Sequence, residues 1–421
     1  MILEMERDVD VILNTRLMTY DIKVSKSTGA RVRGYGYGDN TTLAVVITNL
    51  LACIRKNNLL VYSRKTSGRS NSKKGITARK VIKCVDFLCG IGYVTNHIGK
   101  AHADREKRQI SYICPTDKFI EDWNMKELVD EAMESYNNCL QVIELRDEDR
   151  KNLPYRHTQD TKKMEEVVRN LNRLNESVQI RDGSGDILTN FYCRIFNESF
   201  DYGGRFYKAD ILAIKNKGTS ARLDITIDGQ SVVEIDFSNL HFRIAAALES
   251  IDYEEIPTDV YSGILEDENN LVDRRIVKLA VNIMFNCYNE DSAEKAINLE
   301  INKLTKDEKA MYTLGRAKSV MLLVFDAYPD FIELFCNKSS YGRILQNADS
   351  HLANDILEKM IEKNIPCLPV HDSFIVQSKH LDTLCNAMGE CFRKRFNVDW
   401  LVPVGISWKE NGVKLEEKIC V

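Results

Sequence analysis

Two aspartates follow apolar runs in the second half of the chain. Residues 231–235 (SVVEI) form a strand-like run that ends at Asp236. Residues 365–370 (IPCLPV) form another, and the apolar run 374–376 follows after a short break that contains Asp372. Two short β-prone runs this close together predict a hairpin, with Asp372 at its tip.

Two carboxylates at adjacent strand ends have a specific chemical use. Carboxylate oxygens are ligands that Mg²⁺ prefers, and a pair of such ions clamps a nucleophilic hydroxyl and a triphosphate for in-line displacement. A single aspartate at a turn is usually structural. The prediction of a metal site therefore depends on Asp236 and Asp372 lying together in the fold.

A third segment, residues 273–286 (DRRIVKLAVNIMFN), supplies cations at helical spacing. Arg274 and Lys278 are four residues apart, and Asn282 continues the same helix face. Such a face suits a clamp for phosphates, because Arg and Lys form charge-assisted hydrogen bonds to them. The alternative is a solvated charged face, which is the commonest use of this spacing.

Composition sets the broad class of protein. The chain has 421 residues, 44% hydrophobic and 29% charged, which predicts an ordinary globular protein of two or three domains. No apolar stretch is long enough to span a membrane, and the polar start lacks a signal-peptide core, so we expect a cytoplasmic protein. The twelve cysteines include no CxxC pair, which argues against a zinc knuckle or a disulfide framework.

Basic residues are concentrated in one block. Residues 55–83 contain ten basic side chains and no acidic one, which leaves about −14 on the rest of a chain whose net charge is −4. A block this one-sided predicts contact with nucleic-acid phosphates, and the alternative is a solvated flexible loop. The candidate nucleic-acid-binding residues are Arg64, Lys65, Lys73, Lys74, Arg79, Lys80 and Lys83.

The elements around this block resemble a winged helix-turn-helix. Residues 40–56 predict a helix, 75–92 a second helix ending at Gly90 or Gly92, and 93–96 with 110–114 a hairpin. The likeness covers about residues 40–120.

In that family the second helix enters a DNA groove, which would place Arg79, Lys80 and Lys83 on the nucleic acid. The alternative is a winged helix used for protein interaction alone.

The whole chain predicts an α+β layout. A winged helix domain is expected over 1–120, followed by a helical linker or thumb-like segment over 121–186. Residues 187–421 begin with β-rich segments, continue with long helices and close with a strand-helix-strand unit. This last region is the expected catalytic domain.

Residues 200–408 resemble the right-hand polymerases that comprise family A DNA polymerases and single-subunit RNA polymerases. "IDFSNLHFRIAAAL" is similar to motif A and "LPVHDSFIVQ" to motif C. The resemblance makes Asp236 and Asp372 the metal ligands and places His371 near the primer terminus. It implies a palm built on an antiparallel sheet, with helical fingers.

Motif B and two further segments extend the resemblance. "RRIVK" is similar to motif B, in which Arg274 and Lys278 would hold the incoming triphosphate. "DYGGRFY" resembles the segment before motif A in the RNA polymerases, which implies that Arg205 contacts template or substrate phosphates. "DSHL" (349–352) is also similar to an RNA polymerase tetrapeptide, whereas "VPVGISWKENG" resembles the last palm strand of the DNA polymerases.

The sugar preference is left open by the sequence. His241 stands where the DNA polymerases usually have the Glu that excludes a ribose 2′-hydroxyl, and it could block that hydroxyl or donate a hydrogen bond to it. Asn286 replaces the usual aromatic of motif B, with Phe285 and Tyr288 as displaced candidates. The predicted nucleotide-binding residues are His241, Asn282, Asn286 and Tyr288.

The expected activity is template-directed nucleotidyl transfer with two Mg²⁺ ions, for which Mn²⁺ could substitute. RNA synthesis by a primase or compact RNA polymerase and DNA synthesis by a small family A-like polymerase are level alternatives. The expected partners are a DNA template or duplex and NTPs or dNTPs, with no membrane and no protein partner implied. The alternative from another class is a DNA-binding replication initiator or regulator with a degenerate palm.

Overall fold

The computed structural model describes most of the chain and divides it into two compact units. The N-terminal unit comprises Met1–Gln141 and Gly185–Thr189, and the C-terminal unit comprises Val142–Ser184 and Asn190–Val421. The segment 121–186 is thus shared between the units. The described residues are 15–18, 22–54, 59–62, 64, 75–99, 111–214, 220–252, 256–262, 274–303, 317–337 and 341–421.

The N-terminal unit combines helices with one small mixed sheet. Strand β2 pairs in parallel with β1 and antiparallel with β4, and β4 pairs antiparallel with β3. In chain order the elements are β1 (Thr15–Leu17), α1 (Lys26–Arg33), α2 (Asn40–Ile54), β2 (Leu59–Val61), α3 (Ala78–Gly90), β3 (Val94–His97), β4 (Tyr112–Pro115), α4 (Asp117–Trp123) and α5 (Lys126–Cys139).

Helix α2 is the central helix of this unit and confirms the helix predicted over 40–56. Asp39 caps it, since Oδ1 of Asp39 accepts a hydrogen bond from the Thr42 amide at 3.0 Å. Every residue from 42 to 53 is buried. A helix that is apolar on all sides must be surrounded by other elements, which explains its place in the core of the unit.

Helix α3 and the following hairpin also match the prediction. Thr77 caps α3, and its buried side chains recur at helical spacing, so one face packs inward and the other stays exposed. The helix ends at Gly90, with Ile91 as its C-cap, and Gly92 follows in a left-handed conformation with φ +78°. Strand β2 was not predicted, because three residues give too little alternation to be recognised.

The C-terminal unit is built on two sheets and seven helices of the described chain. Short 3₁₀ turns connect several of them. Its elements are β5 (Ile143–Arg146), β6 (Asn152–Leu153), α6 (Gln159–Glu176), β7 (Ile180–Arg181), β8 (Cys193–Asn197), β9 (Ser199–Tyr207), β10 (Thr226–Ile227), β11 (Gln230–Phe237), α7 (Leu240–Glu249), α8 (Arg274–Asn286), α9 (Glu290–Asn302), α10 (Ala317–Ala327), α11 (Tyr341–Glu362), β12 (Leu368–Val370), β13 (Ser373–Gln377), α12 (Leu381–Phe396), β14 (Pro403–Glu410) and β15 (Val413–Cys420).

The larger sheet is antiparallel and has β11 at its centre. Strand β11 pairs with β13 on one side and with β14 on the other, and β14 pairs in turn with β15. Residues Val232, Val233 and Ile235 are buried, as expected of a central strand with neighbours on both sides. The predicted α+β class is therefore confirmed, and so is the predicted hairpin of β12 and β13.

The smaller sheet has the strand order β6-β5-β8-β9. It includes β5 and β6 from 121–186, the predicted helical linker or thumb-like segment, and β5 pairs in parallel with β8. None of the described helices combines the length and the apolar character that crossing a bilayer requires. The cysteines whose side chains are described are free thiols, as the sequence led us to expect.

Candidate active site

The fold brings Asp236 and Asp372 onto neighbouring strands. Asp236 lies one residue before the end of β11 and is the partner of Ser373 across the β11–β13 ladder. Asp372 precedes Ser373, and its carbonyl accepts a hydrogen bond from the Phe237 amide at 3.4 Å. The two aspartates are 136 residues apart in the chain. In the sheet, however, Asp372 is only one residue away from the position directly opposite Asp236.

A tight turn presents Asp372. Val370 pairs with Ser373, so only His371 and Asp372 connect β12 to β13. His371 has φ +60°, a left-handed conformation that costs free energy for a residue with a side chain. Its ring meets Tyr207 edge-on at 5.8 Å, and Nδ1 is buried with no hydrogen-bond partner among the described residues. Burial, together with the nearby Arg205, lowers the pKa of His371.

The surroundings of Asp236 oppose the charged form of its carboxyl group. Solvent reaches the side chain, but it opens into a groove with protein on most sides. Desolvation, together with the charges of Asp372 and Glu234, raises the pKa of Asp236 from 3.8 to about 8, although Lys278 and Arg222 act in the other direction. A cation placed between the two aspartates would relieve this repulsion.

The groove at Asp236 also receives the predicted cations of α8. It has a volume of about 430 Å³, and Asp236, Arg274 and Lys278 all line it. Arg274 and Lys278 lie 5.3 and 5.7 Å from the ring centroid of Tyr261, so this buried aromatic supports both cations. The predicted face of α8 thus borders the same groove as Asp236.

The two cations differ in their partners. Nε of Arg274 donates to Oδ2 of Asp259 at 2.6 Å, an ion pair that the sequence analysis did not foresee. Within the described residues, Lys278 makes no hydrogen bond or ion pair. Lys278 is therefore available to bind an added anion, whereas Arg274 is already paired with Asp259.

Arg205 is paired with an acidic residue that the sequence analysis did not consider. Its Nε lies 3.2 Å from both carboxylate oxygens of Asp349, and Nη2 makes a further close contact with Oδ2. Nε2 of His241 lies 2.8 Å from the same oxygen. Asp349 is only 4% exposed, and although burial alone would raise its pKa, the hydrogen bonds from His241 and Arg205 lower it. Arg205 and His241 are thus joined through one buried carboxylate.

Arg194, which is fully buried, makes hydrogen bonds to residues next to this cluster. It donates from Nε to the Gly204 carbonyl at 2.7 Å and from Nη1 to Asn354 at 2.9 Å, and Nη2 lies 3.1 Å from Oγ of Ser350. Burial lowers the pKa of Arg194 to about 9. Because Gly204 precedes Arg205 and Ser350 follows Asp349, Arg194 fixes the backbone on both sides of that ion pair.

Gly204 itself must be a glycine. Its φ is +89°, and a Cβ there would lie 2.5 Å from the ring of Phe196 and 2.7 Å from Oγ of Ser350. Gly204 therefore allows β9 to pack closely against both β8 and α11.

The other predicted nucleotide-binding residues lie further along α8 or, in the case of Tyr288, just after its end. Asn282 is exposed, whereas Nδ2 of Asn286 donates to the Asn282 carbonyl at 2.7 Å. Asn286 also packs closely on Gly342, where a Cβ would come within 2.2 Å of its Oδ1. Tyr288 is 56% exposed, and Phe285 is buried in the core. Of the two displaced aromatics, only Tyr288 is therefore accessible to a ligand.

The donor set at the strand ends fits Mg²⁺. No group of three or more His, Cys, Asp or Glu side chains that could hold a metal occurs among the described residues. Mg²⁺, however, is usually held by one or two carboxylates together with waters and substrate phosphates. Asp236 and Asp372 supply that number of carboxylates, and the raised pKa of Asp236 marks a position at which a cation is favoured.

Four of the predicted nucleic-acid-binding residues are described. Arg79 and Lys83 are exposed one turn apart on α3, while Lys80 lies 3.4 Å from the Asp39 carboxylate. Arg64 donates to the Tyr62 hydroxyl at 2.8 Å. Lys65, Lys73 and Lys74 lie outside the described residues.

Sequence reasoning missed the acidic partners of the site. Asp349 and Asp259 were assigned no role, although Asp349 belongs to the flagged "DSHL" segment. The sequence contained one signal for Asp349, because it is a charged residue among the apolar residues of the α11 face that is buried. A charged residue on such a face is rarely buried without a partner. No protein-family model matches this chain, and no curated protein matches it either.

Proposed function

We propose that this chain is a Mg²⁺-dependent, template-directed nucleotidyltransferase. The observation that carries the proposal is the juxtaposition of Asp236 and Asp372 on paired strands, beside a groove that Lys278 also lines. The two carboxylates repel each other and so favour divalent cations between them, while the ammonium group of Lys278 is available to a triphosphate.

Each residue has a definite part in the proposed reaction. Asp236 and Asp372 would hold Mg²⁺, which when bound supplies positive charge to the attacking and leaving oxygens. Lys278 neutralises charge that develops on the triphosphate, and Tyr261 holds the Lys278 side chain in place. Arg274 is positioned by Asp259 to extend the same cationic face.

The C-terminal unit would be the palm and fingers of a right-hand polymerase. The antiparallel strands β12, β13, β11 and β14 carry the proposed metal ligands, as a palm does. Helix α8 would be the fingers helix. His371, at the turn beside Asp372, would lie near the primer terminus.

The N-terminal unit would be a winged helix that holds duplex or template. The strand order β2-β4-β3, with α3 directly before the β3–β4 hairpin, supports this interpretation. Arg79 and Lys83 on the exposed face of α3 would contact phosphates or bases.

The experiment that tests the proposed function is extension of a labelled primer on a DNA template. The protein is supplied with Mg²⁺ and either NTPs or dNTPs, and we expect templated addition with at least one nucleotide set. No extension with any nucleotide mixture, together with retained DNA binding, would favour the initiator or regulator alternative.

Charge reversal on α3 is expected to weaken DNA binding. Arg79→Glu with Lys83→Glu removes two phosphate contacts, so we expect the dissociation constant to rise about tenfold or more and its salt dependence to flatten. Fluorescence anisotropy with duplex DNA over a salt series measures both quantities. Lys126→Glu, an exposed change in the same unit, serves as the control. Superimposable curves for all proteins would remove α3 from the DNA interface.

His241 is expected to influence sugar choice. Its Nε2 is held by Asp349, which fixes the ring five residues after Asp236 on the adjoining helix. We expect His241→Ala to change the ratio of kcat/KM for NTP over dNTP by about tenfold, the scale on which one hydrogen bond or steric contact acts. Single-nucleotide incorporation kinetics measure the ratio. An unchanged ratio would exclude His241 from sugar selection.

A further inference from the structure

The groove at Asp236 has a second wall, to which the sequence analysis assigned no role. Besides the residues of β11 and α8, it is lined by β14 and by Glu416, Glu417 and Lys418 of β15. Strand β15 follows the "VPVGISWKENG" segment and pairs with β14 along all eight of its residues. The last strand of the chain is therefore part of the candidate active site.

The sheet register places Lys418 on the same face as Asp236. Gly405 is the partner of Asp236 on one side and of Lys418 on the other, so these residues form a row across β11, β14 and β15. Side chains directly opposite one another project from the same face of a sheet. At the usual spacing of strands, the Cα atoms of Asp236 and Lys418 lie about 10 Å apart.

The space between Asp236 and Lys418 is open. Gly405 has no side chain, and a Cβ built there would meet nothing within 4 Å. The next row on this face consists of Glu234, Ser407 and Glu416, and its β14 member, Ser407, is also small. An extended ligand could thus lie across β14 from Asp236 to β15 without displacing a side chain.

The charges on β15 leave Lys418 available to an anion. Glu416 forms an ion pair with Lys414, which lowers its pKa together with a hydrogen bond from Ser407 and the nearby charge of Lys418. Within the described part of the chain, Lys418 makes no hydrogen bond or ion pair, and its side chain is exposed. Glu417 also borders the groove.

We propose that Lys418 binds a backbone phosphate of the strand whose 3′-hydroxyl lies at Asp236. This inference rests on the proposed function, which assigns Lys278 and Arg274 on α8 to the incoming triphosphate. Lys418 lies on the other wall of the groove, where the product strand leaves Asp236. The C-terminal strand is then a binding element for primer and product.

The test compares Lys418→Glu with Lys379→Glu, an exposed reversal in the same unit that does not line the groove. Anisotropy measures the dissociation constant for primer–template over a salt series, in full-length protein that also carries Arg79→Glu and Lys83→Glu to reduce binding by the N-terminal unit. We expect Lys418→Glu to raise the dissociation constant about five- to tenfold and to reduce the salt slope by about 1, and Lys379→Glu to stay within about twofold of the parent.

The inference fails if the two reversals behave alike. It also fails if Lys418→Glu raises the KM for the nucleotide and leaves primer–template binding unchanged, because Lys418 would then belong to the triphosphate site. Failure of the proposed function has a different signature, namely a wild-type protein that binds primer–template but extends nothing. Circular dichroism and thermal melting of each variant show whether the fold is intact.

Discussion

Replacing Asp236 by asparagine is expected to abolish nucleotide addition while making the fold more stable. Loss of a carboxylate that holds the catalytic cations should reduce kcat/KM by about 10³-fold or more, and Asp372→Asn should do the same. Asp236 is repelled by Asp372 and Glu234 and is partly desolvated. Removing its charge therefore relieves strain in the metal-free protein by about 1 kcal/mol, after allowance for solvent screening.

The stability gain should depend on pH with a definite sign. The pKa of Asp236 is about 8 in the folded protein and 3.8 when unperturbed. Between about pH 4 and pH 8, Asp236 is therefore protonated in the folded protein and deprotonated in the unfolded chain. The contribution of Asp236 to stability is fully present below pH 4 and is lost as the pH rises through 8. The difference in free energy of unfolding between Asp236→Asn and wild type should grow over that interval.

Chemical denaturation in EDTA at several pH values measures this difference, and added Mg²⁺ should narrow it by stabilising the wild type alone. Asp326→Asn, an exposed change on α10, should alter neither activity nor stability. An Asp236→Asn variant that extends primers at the wild-type rate would exclude Asp236 from catalysis. One that is less stable than wild type at pH 8 would contradict the electrostatic account.

The second large effect is expected at Asp349. Asp349→Ala leaves the guanidinium of Arg205 and the ring of His241 without their common acceptor in a buried setting. Breaking a buried pair from one side typically costs about 3 kcal/mol or more. Activity should fall as well, since His241 and Arg205 lose the contact that orients them next to Asp236 and Asp372.

A matched control lies on the same helix. Asp355 pairs with Nε of Arg395 at 2.6 Å near the surface, where both side chains are about 30% exposed. Asp355→Ala should cost at most about 1 kcal/mol. Urea denaturation of both variants measures the contrast, and equal losses would mean that the Asp349 cluster is an ordinary surface network.

The pH dependence at Asp349 has the opposite sign to that at Asp236. Hydrogen bonds lower the pKa of Asp349 below 3.8 in the fold, so its contribution to stability is present above about pH 4 and is lost as the pH falls through the folded value. The difference between wild type and Asp349→Asn should therefore shrink in acid.

Long and strongly periodic segments were predictable from the sequence alone. Helices α2, α3 and α8 and the β12–β13 hairpin were predicted because each contains its own apolar period and its own cap or turn. Short strands such as β2 and β5 were not predicted, because they are stabilised by pairing with strands distant in the chain.

The residues of the candidate site also fall into a predictable group and an unpredictable group. Asp236, Asp372 and the cations of α8 were predictable as types of residue at the ends or on the faces of recognisable elements. Their partners were not, since the contacts of Arg205 with Asp349 and of Arg274 with Asp259 are made between segments with no shared pattern. The type of a residue does not show whether its side chain will form an ion pair in the folded protein.

The sequence by itself determined the α+β class, the positions of the principal helices and the two aspartates that could bind metal. Only the tertiary structure decided that those aspartates lie on paired strands, that Arg205 is bound to a buried carboxylate, and that Lys418 of the last strand borders the groove. The physical reason is that local periodicity follows from neighbours along the chain, whereas strand register and ion pairing depend on which distant segments the core brings together.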